Sequence, residues 1–570
     1  MECSVVRNLL LDNKYISAIE VQQNKTYKNK NYEILVYCQL EIYGKWIPIV
    51  IGIPKDWQIN LFDIYWESNF SFIPHLDKRG KFCLYDLEGA VIDPNLSGLL
   101  NQCILRTREL VKDGEYGNNR EDFLLEFDSY FALLPNVKHA EVDIPASKYS
   151  GIIKFHKKKI NSKRKNESYV EYKKRQKNTS YFVSSEPDNF KTWKIDGTQQ
   201  NGLFLYIEPT HPVYPPNYLN FDENKFINQL FEFVDIKTFD KLKSKCGHEL
   251  LVVFEIKQGK TNTNCCGFII ESPIFKITDK VEVEAFSMLI PLLINRIDTQ
   301  YLTNRTSFVS NKLANKSYLM IGCGSIGGYV FHNLIKSACK NITIIDDDIM
   351  KAENIYRHFL GMESKGMYKS VALANYAKST IPELNITSIV EKIEYAIEDC
   401  GIDFNDYDYI ISTTGSHTVN LWLNKFLIDN KINTTAFYIW NEALDIGCHV
   451  ALVNTERKCD YRSLFDRDEN GELFDLTSFC MRNQNFAKSY SGCSGTFIPY
   501  GSTLSLNSSL LFIDLLKQEV DGRIKNNMLV SEKGDDYYFK RAGFETSDRY
   551  NKQIEKYSMI KLEDFRKDIV

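Results

Sequence analysis

The sequence predicts an α/β fold for the C-terminal half of the chain, preceded by an α+β domain and a β-rich segment. From Tyr318 onward, short apolar strands alternate with helical patterns, which is typical of a parallel sheet covered by helices. A glycine-rich turn joins the first of these strands to the first helix. Near the N terminus, an amphipathic run at Val5–Leu11 precedes the alternating segments Glu33–Leu40 and Lys45–Ile53, which indicates a helix and then a β meander.

Length and composition indicate a globular chain of several domains. The 570 residues correspond to three or four domains at roughly 150 residues each. We expect domains at 1–145, 146–280 and 281–570. The content of 44% hydrophobic and 13% aromatic residues excludes a largely disordered chain. A net charge of −4 and the absence of an apolar stretch near ~20 residues lead us to expect neither nucleic acid nor a membrane as a partner.

The 14 cysteines are scattered, and none forms a C-x-x-C pair. This excludes a zinc ribbon and a thioredoxin motif. The start of the chain lacks the basic and then apolar order of a secretory signal. We therefore expect a cytoplasmic protein with reduced thiols, a few of which are chemically active.

The first two regions are predicted from their periodicity. Helical patterns at Leu96–Lys112 and Arg120–Leu134 complete the α+β domain. The β-rich linker region contains the apolar strands Leu250–Ile256 and Cys266–Ile270, and we assign it no chemistry. A further helix over Glu282–Arg296 is predicted to lead into the last domain.

The last region alternates regularly between the two kinds of element. The predicted helices and strands are, in chain order, strand Tyr318–Ile321, helix Ile326–Ser337, strand Ile342–Ile345, helix Lys369–Ser379, strand Ile386–Ile389 and strand Tyr409–Ser412. We expect a Rossmann-like sheet.

The glycine turn Gly322-Cys-Gly324-Ser-Ile-Gly327-Gly328 lies between a predicted strand and a predicted helix. In the dinucleotide fingerprint, the first glycine allows the tight turn, the second lets the backbone approach phosphate, and the third lets the helix pack on the strand. The helix N terminus then offers unpaired N–H groups to an anion. Asp346 ends the next strand, where its carboxylate can accept ribose hydroxyls. The turn predicts an adenine-nucleotide site.

Cations after the second strand favour ATP over NAD. Arg357 and Lys369 can neutralise the charge that develops when a nucleophile attacks the α-phosphate, whereas hydride transfer needs few cations beyond the pyrophosphate. The alternative is that these are ordinary surface charges. The ordered set of Asp346, Asn354, Arg357 and Lys369 favours the ATP site.

The stretch Met320–Lys369 resembles the adenylation domain of the ThiF, MoeB and ubiquitin-activating superfamily, in which a G-x-G-x-x-G turn precedes D-x-D, N-x-x-R and a later Lys. The resemblance covers roughly residues 282–516. It implies ATP and Mg²⁺ as cofactors, ribose binding by Asp346, and phosphate binding by Asn354 and Arg357. It also implies that Lys369 contacts the α-phosphate.

The same resemblance implies a homodimer in which an arginine crosses the interface. Arg305 and Arg296 are both candidates. The superfamily also places a magnesium-binding aspartate after the fourth strand, whereas this strand ends in Ser412-Thr-Thr-Gly415 without a carboxylate. The metal ligand stays open between two alternatives: Asp348 helps to hold Mg²⁺, or phosphates and water bind most of it, since this ion keeps several of its waters.

Cys493 lies in a Gly/Ser-rich segment ahead of a predicted helix at Thr503–Lys517. An exposed thiol near a positive helix end is favoured as the thiolate. The alternative is a small apolar residue that fills a turn. Its position resembles the segment before the last large helix of ThiF-type domains, which implies a nucleophile. Cys480 is the second candidate.

A second cysteine lies in the first domain, in His75-Leu-Asp77-Lys-Arg-Gly80-Lys-Phe-Cys83-Leu84-Tyr-Asp86. This segment resembles the active-site strip of ubiquitin-conjugating enzymes, H-P-N followed by G-x-I-C-L-D, and implies an acyl-carrying role for Cys83. Asp77 replaces the usual Asn, so the oxyanion-stabilising role of that Asn is not carried over. Apart from the resemblance, Cys83 would be expected as a buried strand residue.

A conjugating-type domain ahead of an activating-type domain resembles the fused family of type II CBASS anti-phage operons. That resemblance implies a thioester relay from Cys493 to Cys83. It also implies that the C-terminal tail of a cGAS-like nucleotidyltransferase is joined to an amine of an acceptor. The alternatives are a sulfur-carrier activating enzyme, a dinucleotide-dependent oxidoreductase and a non-catalytic scaffold.

Overall fold

The computed structural model describes residues 2–85, 94–145, 149–158, 168–169, 171, 180–193, 195, 197–258, 262–303, 306, 310–381, 383–489 and 496–569. The chain forms two compact units, Met1–Asp298 and Thr299–Val570. The predicted site residues Arg305 and Cys493 lie outside the described residues, as does Asp86. Among the described residues, no helix is long and apolar enough to cross a membrane.

A helix and an antiparallel meander begin the first unit, as the sequence predicts. Their bounds are α1 Cys3–Leu11, β1 Ile16–Tyr27, β2 Lys30–Ile42, β3 Lys45–Ile53 and β4 Asp63–Trp66. The four strands pair in chain order. Alternate residues of β2, including Ile34, Val36 and Leu40, are buried in the core of this region, because side chains alternate between the faces of a strand.

The helices that follow cover this core. They are α2 Leu96–Tyr116, α3 Asp122–Leu125 and α4 Phe127–Phe131. The prediction of α2 is confirmed. Asn95 caps its N terminus by accepting from the N–H of Gly98, and Gly117 ends it with a φ of 75°. The pattern over Arg120–Leu134 forms two short helices instead of one, because the backbone leaves the helical region at Glu126.

A closed β-barrel, which the sequence did not predict, occupies the rest of the first unit. Its seven strands pair in the order β10-β13-β5-β7-β6-β8-β9. The predicted strands at Leu250–Ile256 and Cys266–Ile270 are confirmed within it. The bounds of this region are β5 Lys138–Asp143, β6 Gly151–Lys158, β7 Ser180–Ser184, α5 Pro187–Thr192, β8 Gln200–Ile207, α6 Glu223–Phe231, α7 Ile236–Lys243, β9 Glu249–Gln258, β10 Asn262–Glu271, β11 Ile274–Ile277, β12 Val281–Ala285 and β13 Met288–Arg296.

The helix predicted over Glu282–Arg296 is wrong. This segment forms β12 and β13, and β13 closes the barrel by pairing with β10 and β5. Pro291 lies within β13, and a proline inside a helix removes a hydrogen bond and clashes with the preceding turn. The expected boundaries at 145/146 and 280/281 both fall inside the first compact unit, which ends at Asp298.

The second unit is built on an eight-stranded sheet with the order β16-β15-β14-β17-β18-β19-β24-β25. The predicted helix and strand alternation is confirmed, and strands β14 to β18 are parallel. The bounds are α8 Thr299–Thr303, α9 Ser310–Ala314, β14 Ser317–Ile321, α10 Ser325–Lys336, β15 Asn341–Ile345, α11 Lys369–Thr380, β16 Asn385–Ile389, α12 Ile393–Asp399, β17 Tyr409–Ser412, α13 His417–Asp429, β18 Thr435–Asn441, β19 Gly447–Asn454, β20 Phe465–Arg467, β21 Leu473–Asp475, β22 Lys488–Ser489, β23 Thr496–Phe497, α14 Ser502–Val520, β24 Met528–Lys533, α15 Tyr537–Arg541, α16 Asp548–Lys552, β25 Tyr557–Lys561 and α17 Leu562–Ile569.

Two helices of this unit, α10 and α14, pack against each other on the sheet. Ser505, Ser508 and Ser509 of α14 are fully buried. Ser509 accepts a hydrogen bond of 2.6 Å from Asn333 of α10. Small buried hydroxyls of this kind let the helices approach closely while their polar groups stay paired. This packing fixes the N terminus of α10 at the carboxyl ends of β14 and β17, where parallel sheets bind ligands.

Candidate active sites

The three glycines of the predicted fingerprint have the geometry that their roles require. Gly322 has a φ of +91°, which favours glycine. A Cβ on Gly327 would lie 2.3 Å from the carbonyl oxygen of Gly322, so glycine is needed for close packing of helix on strand. A Cβ on Gly324 would meet nothing within 4 Å. The backbone at Gly324 is therefore open to a ligand.

Asp346 is fixed beside this turn. Its Oδ2 accepts a hydrogen bond from the N–H of Cys323 at 2.5 Å, and its Oδ1 accepts from the N–H of Asp348 at 2.8 Å. Burial raises the pKa of Asp346, and the two N–H donors and Lys369 offset part of that effect. The carboxylate lies half-buried at the carboxyl end of β15, where it can accept ribose hydroxyls.

Lys369 begins α11 and pairs with Asp348. Its Nζ lies 2.7 Å from Asp348 Oδ2, and the Lys369 side chain is only 9% exposed, whereas that of Asp348 is 71% exposed. A mostly buried ammonium needs an anionic partner. Phosphate oxygens of a nucleotide can provide the same charge that Asp348 provides here.

Asn354 and Arg357 lie in the loop between these elements. Asn354 Oδ1 accepts from the N–H of Lys351 at 2.9 Å, and the NH₂ group of the same side chain can donate to a ligand. The Arg357 guanidinium lies 5.7 Å from the centre of the Tyr500 ring. The carbonyl of Arg357 accepts from the Ser325 hydroxyl at 2.5 Å, which ties this loop to the start of α10.

His358 is a site residue to which the sequence analysis gave no role. It is buried, its Nε2 donates to the carbonyl of Cys323 at 2.8 Å, and its Nδ1 accepts from the N–H of Leu360 at 3.0 Å. Burial lowers the pKa of His358. The neutral ring therefore holds the Arg357 segment against the glycine turn. Its position directly after Arg357 was the only signal in the sequence.

The structure gives little support for a metal ligand or for Arg296 as the arginine that crosses a dimer interface. Within the described residues, no three His, Cys, Asp or Glu side chains are grouped so as to hold a metal ion. Asp348 offers one exposed carboxylate near Lys369. Arg296 lies on β13 of the first unit, and its Nε is 2.8 Å from Asp298 Oδ2.

Cys480 lies in an environment that disfavours the thiolate. The residue is 8% exposed, and burial together with the carboxylate of Glu442 raises the pKa of its thiol. Since the thiolate is the nucleophilic form, this environment disfavours Cys480.

Cys83 is exposed and lines a pocket of about 520 Å³ in the first unit. The alternative of a buried strand residue is therefore wrong. Its N–H donates to the carbonyl of His75 at 2.8 Å. The carboxylate of Asp77 accepts from the N–H groups of Arg79 and Lys81 at 2.7 and 2.9 Å, so it shapes the turn before the cysteine.

The His75 ring joins Cys83 to two carboxylates that the sequence analysis did not connect with it. Its Nε2 lies 3.0 Å from Asp122 Oδ2, and its Nδ1 lies 3.2 Å from Glu126 Oε1. Hydrogen bonds to Cys83, Glu126 and Asp122 raise the pKa of His75 to about 10. The Tyr130 hydroxyl accepts from the N–H of His75 at 2.6 Å and donates to Glu126 at 2.7 Å. No motif in the sequence links these helices to the cysteine.

Comparison with known proteins defines the class of the second unit. Residues 300–517 match the model of the ThiF family. The chain therefore carries a ThiF-family domain, which contains the glycine turn, Asp346 and Lys369 described above.

The chain is also similar to two curated proteins, each called ATP-dependent ubiquitin transferase-like protein Cap2. The protein from Pseudomonas aeruginosa is 25% identical over 43% of this chain and 44% of its own length. The protein from Escherichia coli is 30% identical over 37% of this chain and 36% of its own length. The chain thus covers less than half of these relatives.

Among solved structures, E. coli MccB with MccA-N7isoASN is 15% identical and has a TM-score of 0.32, covering 45% of this chain and 66% of that one. A TM-score this low does not establish a shared fold.

Proposed function

We propose that the second unit activates the C-terminal carboxylate of a protein with ATP. The carboxylate oxygen attacks the α-phosphorus, the bond to the β-phosphate breaks, and an acyl-adenylate and pyrophosphate form. The observation that carries the proposal is the mostly buried Lys369 ammonium, which pairs with the exposed carboxylate of Asp348, whose N–H donates to Asp346 beside the glycine turn. The similarity to the ATP-dependent Cap2 proteins supports it.

Each described residue around the glycine turn then has a role in this reaction. Asp346 accepts the ribose hydroxyls, and the N–H groups at the start of α10 face the phosphates. Asn354 and Arg357 bind the phosphates, and Lys369 leaves Asp348 to neutralise the charge that grows at the α-phosphate. Mg²⁺, when bound, would neutralise further phosphate charge, with Asp348 as its candidate ligand.

We further propose a relay of two thioesters. The Cys493 thiolate attacks the adenylate carbonyl, and AMP leaves. The Cys83 thiolate then attacks that thioester, Cys493 leaves as its thiolate, and an amine of the acceptor finally displaces Cys83. Each thioester retains part of the energy of ATP hydrolysis, which divides a difficult condensation into easier steps. The exposure of Cys83 and the unfavourable setting of Cys480 support this assignment.

The donor and the biological role are part of the same proposal. The acyl donor is the C-terminal tail of a cGAS-like nucleotidyltransferase, and the reaction serves anti-phage defence of the type II CBASS kind. The acceptor is a protein or another amine. Two observations support this role. The chain joins the unit that contains Cys83 to a ThiF-family domain, and it is similar to the Cap2 proteins.

ATP–pyrophosphate exchange tests the activation step. We expect exchange that depends on an added protein tail, and a loss of about 100-fold in Lys369→Ala, because the cation at the α-phosphate is removed. Lys378→Ala is the matched control, since Lys378 is exposed in the last turn of the same helix. Binding of NADH without binding of ATP would show that the unit is an oxidoreductase domain.

Trapping of thioesters tests the relay. We expect Cys83→Ala to accumulate a reducible adduct on Cys493 and to abolish transfer to the acceptor. Cys493→Ala should form the adenylate but no thioester, whereas Cys480→Ala should retain the full relay. Unchanged conjugation by the Cys83→Ala variant would exclude the relay.

A further inference from the structure

The His75 ring carries a carboxylate at each of its two nitrogens, and this decides its protonation. A neutral imidazole has one N–H and can donate to one acceptor only. Asp122 Oδ2 lies 3.0 Å from Nε2 and Glu126 Oε1 lies 3.2 Å from Nδ1, so both nitrogens face acceptors. The ring is therefore an imidazolium with two protons to give.

The backbone holds this cation against Cys83. His75 has a φ of 62°, which is uncommon for a residue other than glycine. Its N–H donates to the Tyr130 hydroxyl at 2.6 Å, and its carbonyl accepts from the N–H of Cys83 at 2.8 Å. A strained backbone persists only where its surroundings determine it, and such residues gather at functional sites. His75, Cys83 and Glu126 line the same pocket, which places the ring beside the thiol.

The other charges around the pocket are largely paired with each other. Asp63 lies 2.5 Å from the ammonium of Lys30 and 2.7 Å from that of Lys81, and Arg79 lies 3.2 Å from Asp77. Tyr85, Tyr130, Ser129 and Asn60 also line the pocket. The His75 imidazolium and the carboxylates of Asp122 and Glu126 together carry a net negative charge. This charge attracts an ammonium group to the part of the pocket that His75 and Glu126 line.

We propose that His75 and Glu126 form a proton shuttle that moves the acyl group from Cys83 to an amine. The amine nitrogen attacks the thioester carbonyl, and Glu126 takes one proton from that nitrogen. His75 gives a ring proton to the sulfur as the C–S bond breaks, and Glu126 returns its proton to His75. The products are an amide and the Cys83 thiol, and the shuttle is reset. Asp122 and Tyr130 are positioning residues.

The proposal rests on the role of Cys83 as an acyl carrier, and its test avoids the ATP step. The full-length protein is loaded on Cys83 from a small-molecule peptide thioester without ATP. Discharge to L-lysine and to hydroxylamine is then followed by mass spectrometry. Hydroxylamine is a weakly basic nucleophile that needs little help from a general base. The rate with lysine therefore reports on both Glu126 as the base and His75 as the acid, whereas the rate with hydroxylamine reports mainly on His75.

We expect Glu126→Gln to lower the rate with lysine by about 100-fold, a typical contribution of general acid–base catalysis, and to change the rate with hydroxylamine little. His75→Gln should lower both rates, because the sulfur loses its proton donor. Glu121→Gln is the matched control, since Glu121 is exposed on the neighbouring segment. The ratio of the two rates is measured on loaded molecules only, so partial misfolding does not alter it.

Two results would overturn the shuttle. One is a lysine to hydroxylamine ratio in Glu126→Gln equal to that of the wild type, and the other is lysine discharge in His75→Gln at the wild-type rate. Failure of wild-type Cys83 to accept the acyl group would overturn both the shuttle and the carrier role. ATP–pyrophosphate exchange would then still report separately on the activation step.

Discussion

Glu442 is a buried carboxylate that accepts four hydrogen bonds beside Cys480. The donors are the N–H groups of Phe479 and Cys480 at 2.7 and 3.1 Å, the Ser478 hydroxyl at 2.7 Å and His449 Nε2 at 2.7 Å. Burial opposes ionisation, but these donors hold the pKa of Glu442 below its ordinary value. The charged form therefore stabilises the loop before the Cys493 segment.

We expect Glu442→Gln to lower the free energy of unfolding by about 3 kcal/mol at pH 7, because one partner of a buried charged network is lost. The pKa is depressed below 4.5 in the folded state, so the stabilisation is fully present above pH 4.5 and is lost as the pH falls through the folded value. Urea unfolding at pH 7 and at lower pH, followed by fluorescence, measures both effects. Glu472→Gln, at an exposed position, is the control. Equal stabilities at pH 7 would contradict the expectation.

Residues near each other in the chain could be recognised from the sequence, and those brought together by folding could not. The glycine turn, Asp346 and Lys369 follow one another between the end of β14 and the start of α11, and the structure places them together. His75 was visible near Cys83, but Asp122 begins the later helix α3 and Glu126 lies between α3 and α4. Their meeting depends on tertiary packing, which leaves no spacing pattern in a single sequence.

At the scale of an element, the glycine turn combines a packing requirement and a binding requirement. Gly327→Val should destabilise the second unit by about 1–3 kcal/mol, because its Cβ would lie 2.3 Å from the Gly322 oxygen. Gly324→Ala should leave the unfolding transition unchanged, since its Cβ meets nothing within 4 Å, and should weaken ATP binding. Urea unfolding and nucleotide titration on both variants check the contrast. A destabilised Gly324→Ala variant that still binds ATP would contradict it.

The wrong helix at Glu282–Arg296 shows where local patterns fail. The run from Met288 to Ile294 is apolar at almost every position, so its periodicity does not distinguish a strand from a buried helix. Pairing with β10 on one side and β5 on the other decides the outcome. The parallel sheet was predicted more successfully because its strands and helices alternate within short distances along the chain.

At the scale of the whole molecule, the proposed homodimer gives a simple prediction. Light scattering at micromolar concentration should give twice the chain mass of 66.2 kDa. If an arginine acts across the interface, mixing Lys369→Ala protomers with Arg305→Ala protomers should restore part of the ATP–pyrophosphate exchange. A monomer that catalyses full exchange would exclude the interface.

The barrel also has a consequence for solubility. A sheet that ends in an open strand presents unpaired N–H and C=O groups, on which other chains can add and aggregate. The barrel is closed, so each of its seven strands has a neighbour on both sides. The long chain between the Cys83 pocket and the ThiF-family domain can thus be rich in apolar strands, and the barrel's described strands offer no template for fibril growth.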